Sequence, residues 1–255
     1  MGSDTTVRTT RHDAILEIAI DRPEQRNAID KATAEALGAA IIELEQDDAL
    51  VVGVLTGTGG GFCAGMDLGA FARGELPLTE RGFAGMTIGR PGKPVIAAIE
   101  GFALAGGLEL ALACDLIVAA RDARLGIPEV KRGLVAAGGA LRRLPERLPL
   151  GVATELALTG DPLDVDRAQQ LGLVNHVSAP GAALADALAL AARIAANGPL
   201  AVAASHEILR AGVDWTEEQF WAEQGRIAGP VLLSRDAREG AVAFKEKRAP
   251  VWERR

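Results

Sequence analysis

Apolar residues fall along this chain in two rhythms. Short unbroken runs stand at residues 15–20 (ILEIAI), 51–56 (VVGVLT), 95–99 (VIAAI) and 116–119 (LIVA), with a later one, LVNHV, at 173–177. Runs of that length, bounded by glycine, proline or charged residues, predict strands buried on both faces, as in a mainly parallel sheet. Between them the spacing lengthens to that of a helix. Ala34, Leu37, Ile41 and Leu44 recur three or four residues apart within 31–48, with Glu35, Glu43 and Glu45 left for the outer face and Asp30 placed as the N-cap.

Beyond residue 150 the helical spacing takes over. Segments 151–159, 164–171, 181–196, 199–212 and 216–233 read as successive helices, separated by GDP at 160–162 and by Gly198 and Pro199. Leu184 and Leu188, set among alanines, form a small-residue face suited to close helix packing, against a neighbour or another subunit. Strands alternating with helices for about two thirds of the chain, then helices alone, define an α/β fold class. Residues 69–93 carry no clean period and predict a mobile loop with a short helix at the mouth of a pocket. The tail AFKEKRAPVWERR, with five basic and two acidic residues, reads either as solvated or as an electrostatic clasp on a phosphate.

Composition narrows the function classes. At 255 residues and 49% hydrophobic content, the chain can build one large core, or a core with an appendage. A net charge of -7 argues against a broad basic face for nucleic acid. No apolar run reaches the ~18 residues of a membrane span, and MGSDTTVRTTRHD has no signal-peptide core, so a cytoplasmic protein with no membrane partner is expected. Cys63 and Cys114 are too few for a disulfide framework, and His12, His176 and His206 are too scattered for a metal site. His176 is expected to be an exposed strand residue.

The candidate chemistry lies where two strands run into glycine. PVIAAIEGFALAGGLELALACD, residues 94–115, reads as a strand, a tight loop and a helix start, with Gly101, Gly106 and Gly107 making the break. Orphan amides at such a helix start, helped by the dipole, suit an oxygen that gains negative charge. Glu109 falls in the first helical turn, where it either leans toward whatever the loop holds or matches the dipole. The run at 51–56 likewise enters GTGGGFCAGMDL, with amides around Gly65, Met66 and Asp67. Two such loops could give one oxygen two donors, the minimum for an oxyanion hole.

Gly57 and Gly59 begin a dinucleotide fingerprint, but Phe62 stands where its third glycine belongs, and no G-K-[ST] occurs. Cys63 has no adjacent histidine to activate it and reads as a packing residue. Arg22, Arg26 and the backbone at Asn27 and Ala28 form either a solvated turn or a contact to a phosphorylated ligand. Pro128 presets a turn before Glu129. Arg142, Arg143 and Arg147, after Gly133, Gly138 and Gly139, are expected on an exposed helix face.

Taken in order, RPEQRNA at 22–28, GFCAGMDL at 61–68, GFALAGGLELALACD at 101–115, GIPEVKRGL at 126–134 followed by Gly138 and Gly139, and F-x-x-K-R at 244–248 resemble the enoyl-CoA hydratase/isomerase, or crotonase, superfamily. The resemblance spans nearly the whole chain. It implies a spiral core of stacked β-β-α units over residues 1–198, a helical C-terminal trimerisation region over 199–255, and a homotrimer or homohexamer. By position it places the oxyanion hole on the amides of Met66 and Gly106 and the catalytic carboxylates on Glu109 and Glu129. Contacts to the coenzyme A of an acyl-CoA thioester substrate fall on Arg26, Ala28, Ala64, Asp67, Leu68 and Lys247. No separate cofactor or metal is implied.

Two departures bear on the pocket wall: Met66, at a position often small in hydratases, and Ala136 with Ala137 in place of the usual proline and glycine. The resemblance implies hydration of a 2-enoyl-CoA, with Glu109 deprotonating water and Glu129 delivering a proton to the α-carbon. The alternatives are another reaction of the same thioester enolate, such as isomerisation or carbon–carbon cleavage, and a catalytically weak acyl-CoA-binding protein.

Overall fold

A computed structural model describes residues 5–89 and 91–255 of the chain. A six-stranded sheet forms its centre. β1 (Val7–His12) and β2 (Ile15–Ile20) make an antiparallel hairpin, and β2 then pairs in parallel with β3 (Val52–Gly57). The helix α1 (Lys31–Gln46) crosses between them, capped by Asp30, whose carboxylate accepts from Thr33 N. Its buried face is Ala34, Leu37, Ile41 and Leu44, the set that the spacing predicts. After α2 (Leu68–Ala72) and the small hairpin of β4 (Leu78–Thr79) and β5 (Gly82–Phe83), the chain returns to the sheet as β6 (Val95–Ile99).

The strand β7 (Phe102–Leu104), the helix α3 (Gly106–Ala113) and the strand β8 (Leu116–Ala120) follow. Then come β9 (Arg124–Gly126), α4 (Ala140–Arg147), α5 (Leu150–Thr159), β10 (Leu163–Asp164), α6 (Val165–Gln170) and β11 (His176–Ser178). The large sheet has the order β1-β2-β3-β6-β8-β11, parallel from β2 onward, and a smaller sheet has the order β10-β9-β7. Four helices close the chain: α7 (Ala183–Ala195), α8 (Pro199–Ala211), α9 (Glu217–Leu232) and α10 (Arg235–Glu246).

Because strand side chains alternate, each buried run serves two cores. Leu55, Ala97, Ile99, Ile117 and Ala119 face the main core, while Val54, Ile96, Ala98 and Val118 face α7. Ala183, Ala187 and Ala191, four residues apart, seat α7 directly on that sheet. The small-residue face of this helix therefore packs on its own chain's sheet, with Leu184 and Leu188 partly buried beside it.

β1, which lies outside the apolar runs, is a polar edge strand; besides its pairing with β2 it is held by Val7 against the main core and by Arg11, which pairs with Glu43 and Asp47 at the end of α1. Residues 69–93 include α2 and the β4–β5 hairpin, and Arg81 within them pairs with Glu45 of α1 through both terminal nitrogens at 2.7 and 2.8 Å. Residues 243–246 finish α10, and the Trp252 indole donates to Ala196 O at 2.9 Å, so the tail is fastened. Of the three arginines expected on an exposed face, only Arg142 is exposed: Arg143 is buried, and Arg147 donates to Cys114 O at 2.7 Å. His176 is exposed, as expected.

Among the described residues no single helix is long and apolar enough to cross a membrane.

Candidate active site

The two glycine loops meet. Cys63 lies beside β7, donating to Phe102 O at 3.2 Å and accepting from Leu104 N at 3.0 Å, so the segment after β3 runs alongside the segment before α3. Two residues later Gly65 O accepts from Ile29 N at 2.8 Å, and Asp67 N donates to Ile29 O at 2.9 Å. In a parallel bridge that uses 65 and 67, the N–H of the residue between them points away from the partner strand, so the Met66 amide faces the opposite side. On that side is the N-terminus of α3. Gly106 is its first residue, and its N–H has no partner within the helix. A Cβ on Gly65, which has φ +96°, would fall 2.8 Å from Gly106 N, so only glycine lets these backbones touch. Ala105, just before Gly106, is held at φ 52° and ψ -127°, a conformation costly for a residue with a Cβ.

Glu109 stands one turn into α3 and is almost wholly buried. Its carboxylate accepts from Ala140 N at 3.1 Å, and a Cβ on Gly138 would lie 2.5 Å from its Oε2, so the glycine pair before α4 lets the loop close over it. Burial raises its pKa. The amides of Ala140, Gly138 and Gly139 and the charge of Arg143 oppose that shift.

Glu129 sits in a 3-10 turn, Pro128–Arg132, which Pro128 starts from the N1 position. Its Oε2 is buried without a hydrogen-bond partner in the protein. Burial pushes its pKa up to about 7, its own backbone amide opposes that, and the negative charge of Glu109 adds to the rise. The two carboxylates are thus close enough to repel and differently supported. Environments that push two acids apart are how one site holds both a base and an acid near neutral pH.

Both glutamates line one cavity of about 1330 Å³, together with Met66, Gly106, Arg26, Ala64 and Leu68. Seven of the ten residues singled out in the sequence therefore reach one space. Three take other positions. Ala28 is buried, and its carbonyl accepts from Arg22 Nη1. Asp67 caps α2, accepting from Gly69 N and Ala70 N, and pairs with Arg22 at 3.2 Å. Lys247 ends α10 in the left-handed conformation and is not among the residues lining the cavity.

Arg22 also pairs with Asp30 at 2.9 Å, so it locks two carboxylates and a carbonyl rather than facing a ligand. Asn27 is buried too, donating to Thr58 O and Gly61 O and accepting from Arg22 N. Arg26, by contrast, lies with its guanidinium 4.5 Å from the centre of the Phe102 ring at the edge of the cavity. Burial pushes the Cys63 thiol up to about 12, which suits a packing residue.

Sequence reasoning passed over several wall residues. Leu76, Leu78 and Phe83 come from the aperiodic segment, while His206 and Arg210 come from α8. His206 and Arg210 both reach the Asp115 carboxylate, at 2.9 and 3.3 Å, and fasten α8 beside the cavity. Arg143 was readable: Ala140, Arg143, Leu144 and Leu148 are spaced as one helix face, and all four are buried.

A sheet-centred α/β core with two glutamates and two touching backbone loops on one cavity is the arrangement of the crotonase fold. The chain belongs to the enoyl-CoA hydratase/isomerase family, whose model matches residues 10–255. It is similar to a crystal structure of an enoyl-CoA hydratase from Mycobacterium marinum, with 55% sequence identity, TM-score 0.96, and coverage of 98% of this chain and 99% of that one. A crystal structure of a carnitinyl-CoA hydratase from Mycobacterium avium is 43% identical, with TM-score 0.78 over 98% and 99% of the two chains. A carnitinyl-CoA dehydratase of Salmonella typhi is 42% identical, with 98% of this chain and 99% of the relative covered.

Proposed function

We propose that this protein is an enoyl-CoA hydratase, adding water across the double bond of a 2-enoyl-CoA to give a 3-hydroxyacyl-CoA and catalysing the reverse dehydration with the same groups. The observation that carries this reading is the pair of unequal glutamates, Glu109 and Glu129, on one cavity beside the Met66 and Gly106 amides. The thioester carbonyl accepts from those two amides. As Glu109 takes a proton from water, the hydroxyl bonds to the β-carbon, and the double-bond electrons move onto the thioester oxygen as an enolate. The two fixed donors stabilise that charge; one such donor is worth roughly 10²- to 10³-fold in rate. Glu129, as the carboxylic acid, then gives its proton to the α-carbon. Transfer of the proton held by Glu109 back to Glu129 restores the starting state, so atoms and charges balance without a metal or a separate cofactor.

In this reading Arg26, Ala64 and Leu68, which line the cavity, receive the coenzyme A portion, and the cation of Arg26 suits its phosphates. We propose a homotrimer or homohexamer as the working state. Support comes from the last helices: Leu209, Leu232, Leu233 and Phe244 are exposed, Phe244 at 88%.

The test is turnover of crotonyl-CoA, longer 2-enoyl-CoAs and carnitinyl-CoA, followed through the enoyl thioester absorbance with product mass. Hydration of at least one enoyl-CoA supports the reading. Isomerisation or cleavage without hydration would replace it with another enolate reaction.

A further inference from the structure

Arg143 is a buried cation in the wall of this cavity, and the mechanism above gives it no task. It belongs to α4, and its guanidinium donates to Gly138 O at 3.2 Å and to Thr87 O. The carbonyl it grips belongs to the same peptide unit as the Gly139 N–H, and that amide faces Glu109 together with those of Gly138 and Ala140. One peptide thus has its oxygen on the arginine and its hydrogen toward the carboxylate. A donor on the oxygen of a peptide polarises its N–H and strengthens the bond that N–H makes. Glu129 has only its own backbone amide for support, and its Oε2 has no partner in the protein.

We propose that Arg143 is the positioning residue that clamps the 138–140 loop onto Glu109 and so makes Glu109 the ionised carboxylate and Glu129 the protonated one. The inference rests on the hydratase reading for its mechanistic meaning, although the clamp itself can be tested without turnover. The other charges near the pair are engaged locally. Arg132 follows Glu129 on the same turn and lowers its pKa. Arg142 pairs with Glu146 and with Asp214, both at 3.3 Å. Behind α3, Asp115 holds His206 and Arg210, and Glu207, which also lines the cavity, pairs with Arg226 at 3.7 Å. Arg143 is the cation whose charge acts on Glu109 through a hydrogen-bonded loop.

Two substitutions separate the clamp from simple loss of packing. Arg143→Lys keeps a charge but cannot hold two carbonyls with a planar fork, and Arg143→Met keeps bulk without charge. The readout is an infrared pH titration of the carboxyl band on the intact assembly, with Glu109→Gln and Glu129→Gln assigning the two components. In the wild type, Glu109 should ionise at lower pH than Glu129. In Arg143→Met the order should reverse or the two should merge, with Arg143→Lys between. If the enzyme hydrates enoyl-CoA, the acid limb of its kcat/KM profile should move to higher pH in both variants. kcat should fall roughly 10- to 100-fold, part of the 10²- to 10⁴-fold range of general acid–base catalysis, with KM changing less than about threefold. An unchanged separation between the two ionisations in folded Arg143→Lys overturns the proposal even if hydration is found. Absence of turnover with the reversed order present would overturn the hydratase reading and leave the clamp standing. If Arg143→Met does not fold, the lysine variant alone decides.

Discussion

Each glutamate at the centre of this cavity is supported by a different kind of neighbour, and that difference sets what replacement should do. Glu109 is held by amides of the loop before α4, whereas Glu129 is half-buried, with its Oε2 buried and unpartnered. Replacing either by Gln keeps the shape and removes a proton-transfer group, so each change should lower hydration by roughly 10²- to 10⁴-fold while substrate affinity changes little. The double variant should lose far less than the product of the two. Full turnover in Glu129→Gln would exclude the two-carboxylate mechanism.

Glu129 also links activity and stability to pH. Its folded pKa of about 7 lies above the ordinary 4.5, so between those values the folded chain binds more protons than the unfolded one, and stability falls as pH rises through that window. Glu129→Gln should therefore be more stable than wild type by about 1–3 kcal/mol at pH 8 and nearly equal to it at pH 4, as read by chemical denaturation. The same ionisation should lower wild-type kcat/KM above about pH 7, and a profile flat to pH 9 would remove Glu129 as the acid. The proposed acid is thus a site at which the fold gives up stability.

At the scale of elements, the site depends on how loops are tied rather than on the strands that carry them. Asn27 joins the 22–28 turn to the glycine segment after β3 through two donated bonds, at 2.8 and 2.7 Å, and closes the turn itself by accepting from Arg22 N at 2.9 Å. With the side chain buried and φ at 55°, Asn27→Ala should cost about 2–4 kcal/mol, from lost hydrogen bonds and the left-handed backbone together. A calorimetric loss below about 1 kcal/mol would mean that the turn is held by Arg22 and its two carboxylates instead. RPEQRNA was legible in the sequence as a motif. Its division of labour was not, because Arg22 and Asn27 reach partners 31 to 45 positions away, which no local spacing encodes. Of Arg22, Arg26 and Asn27, only Arg26 lines the cavity.

Across the whole molecule, the last three helices leave Leu209, Leu233 and Phe244 in solvent, with Leu233 79% exposed. Sedimentation velocity at micromolar concentration should show a trimer or hexamer, and a monomer alone would contradict the assembly proposed above. Coenzyme A binding to a chain of net charge -7 should depend on a few local cations, weakening with salt and in Arg26→Ala; equal affinity at low salt would displace that residue from the site.

The sequence by itself determined the parallel core, because runs such as VIAAI and LIVA can be buried only between two covered faces, and it determined α1 through one apolar stripe and its Asp30 cap. It also marked the two glycine loops and both glutamates, since glycine at a strand end and an acid in a helix's first turn are local features. Only the tertiary structure decided that Gly65 touches Gly106, that Arg143 is buried against the loop over Glu109, and that α8 closes one wall through Asp115. Those outcomes depend on contacts between segments far apart in the chain, and on an arginine's being able to lie inside when two carbonyls are waiting for it.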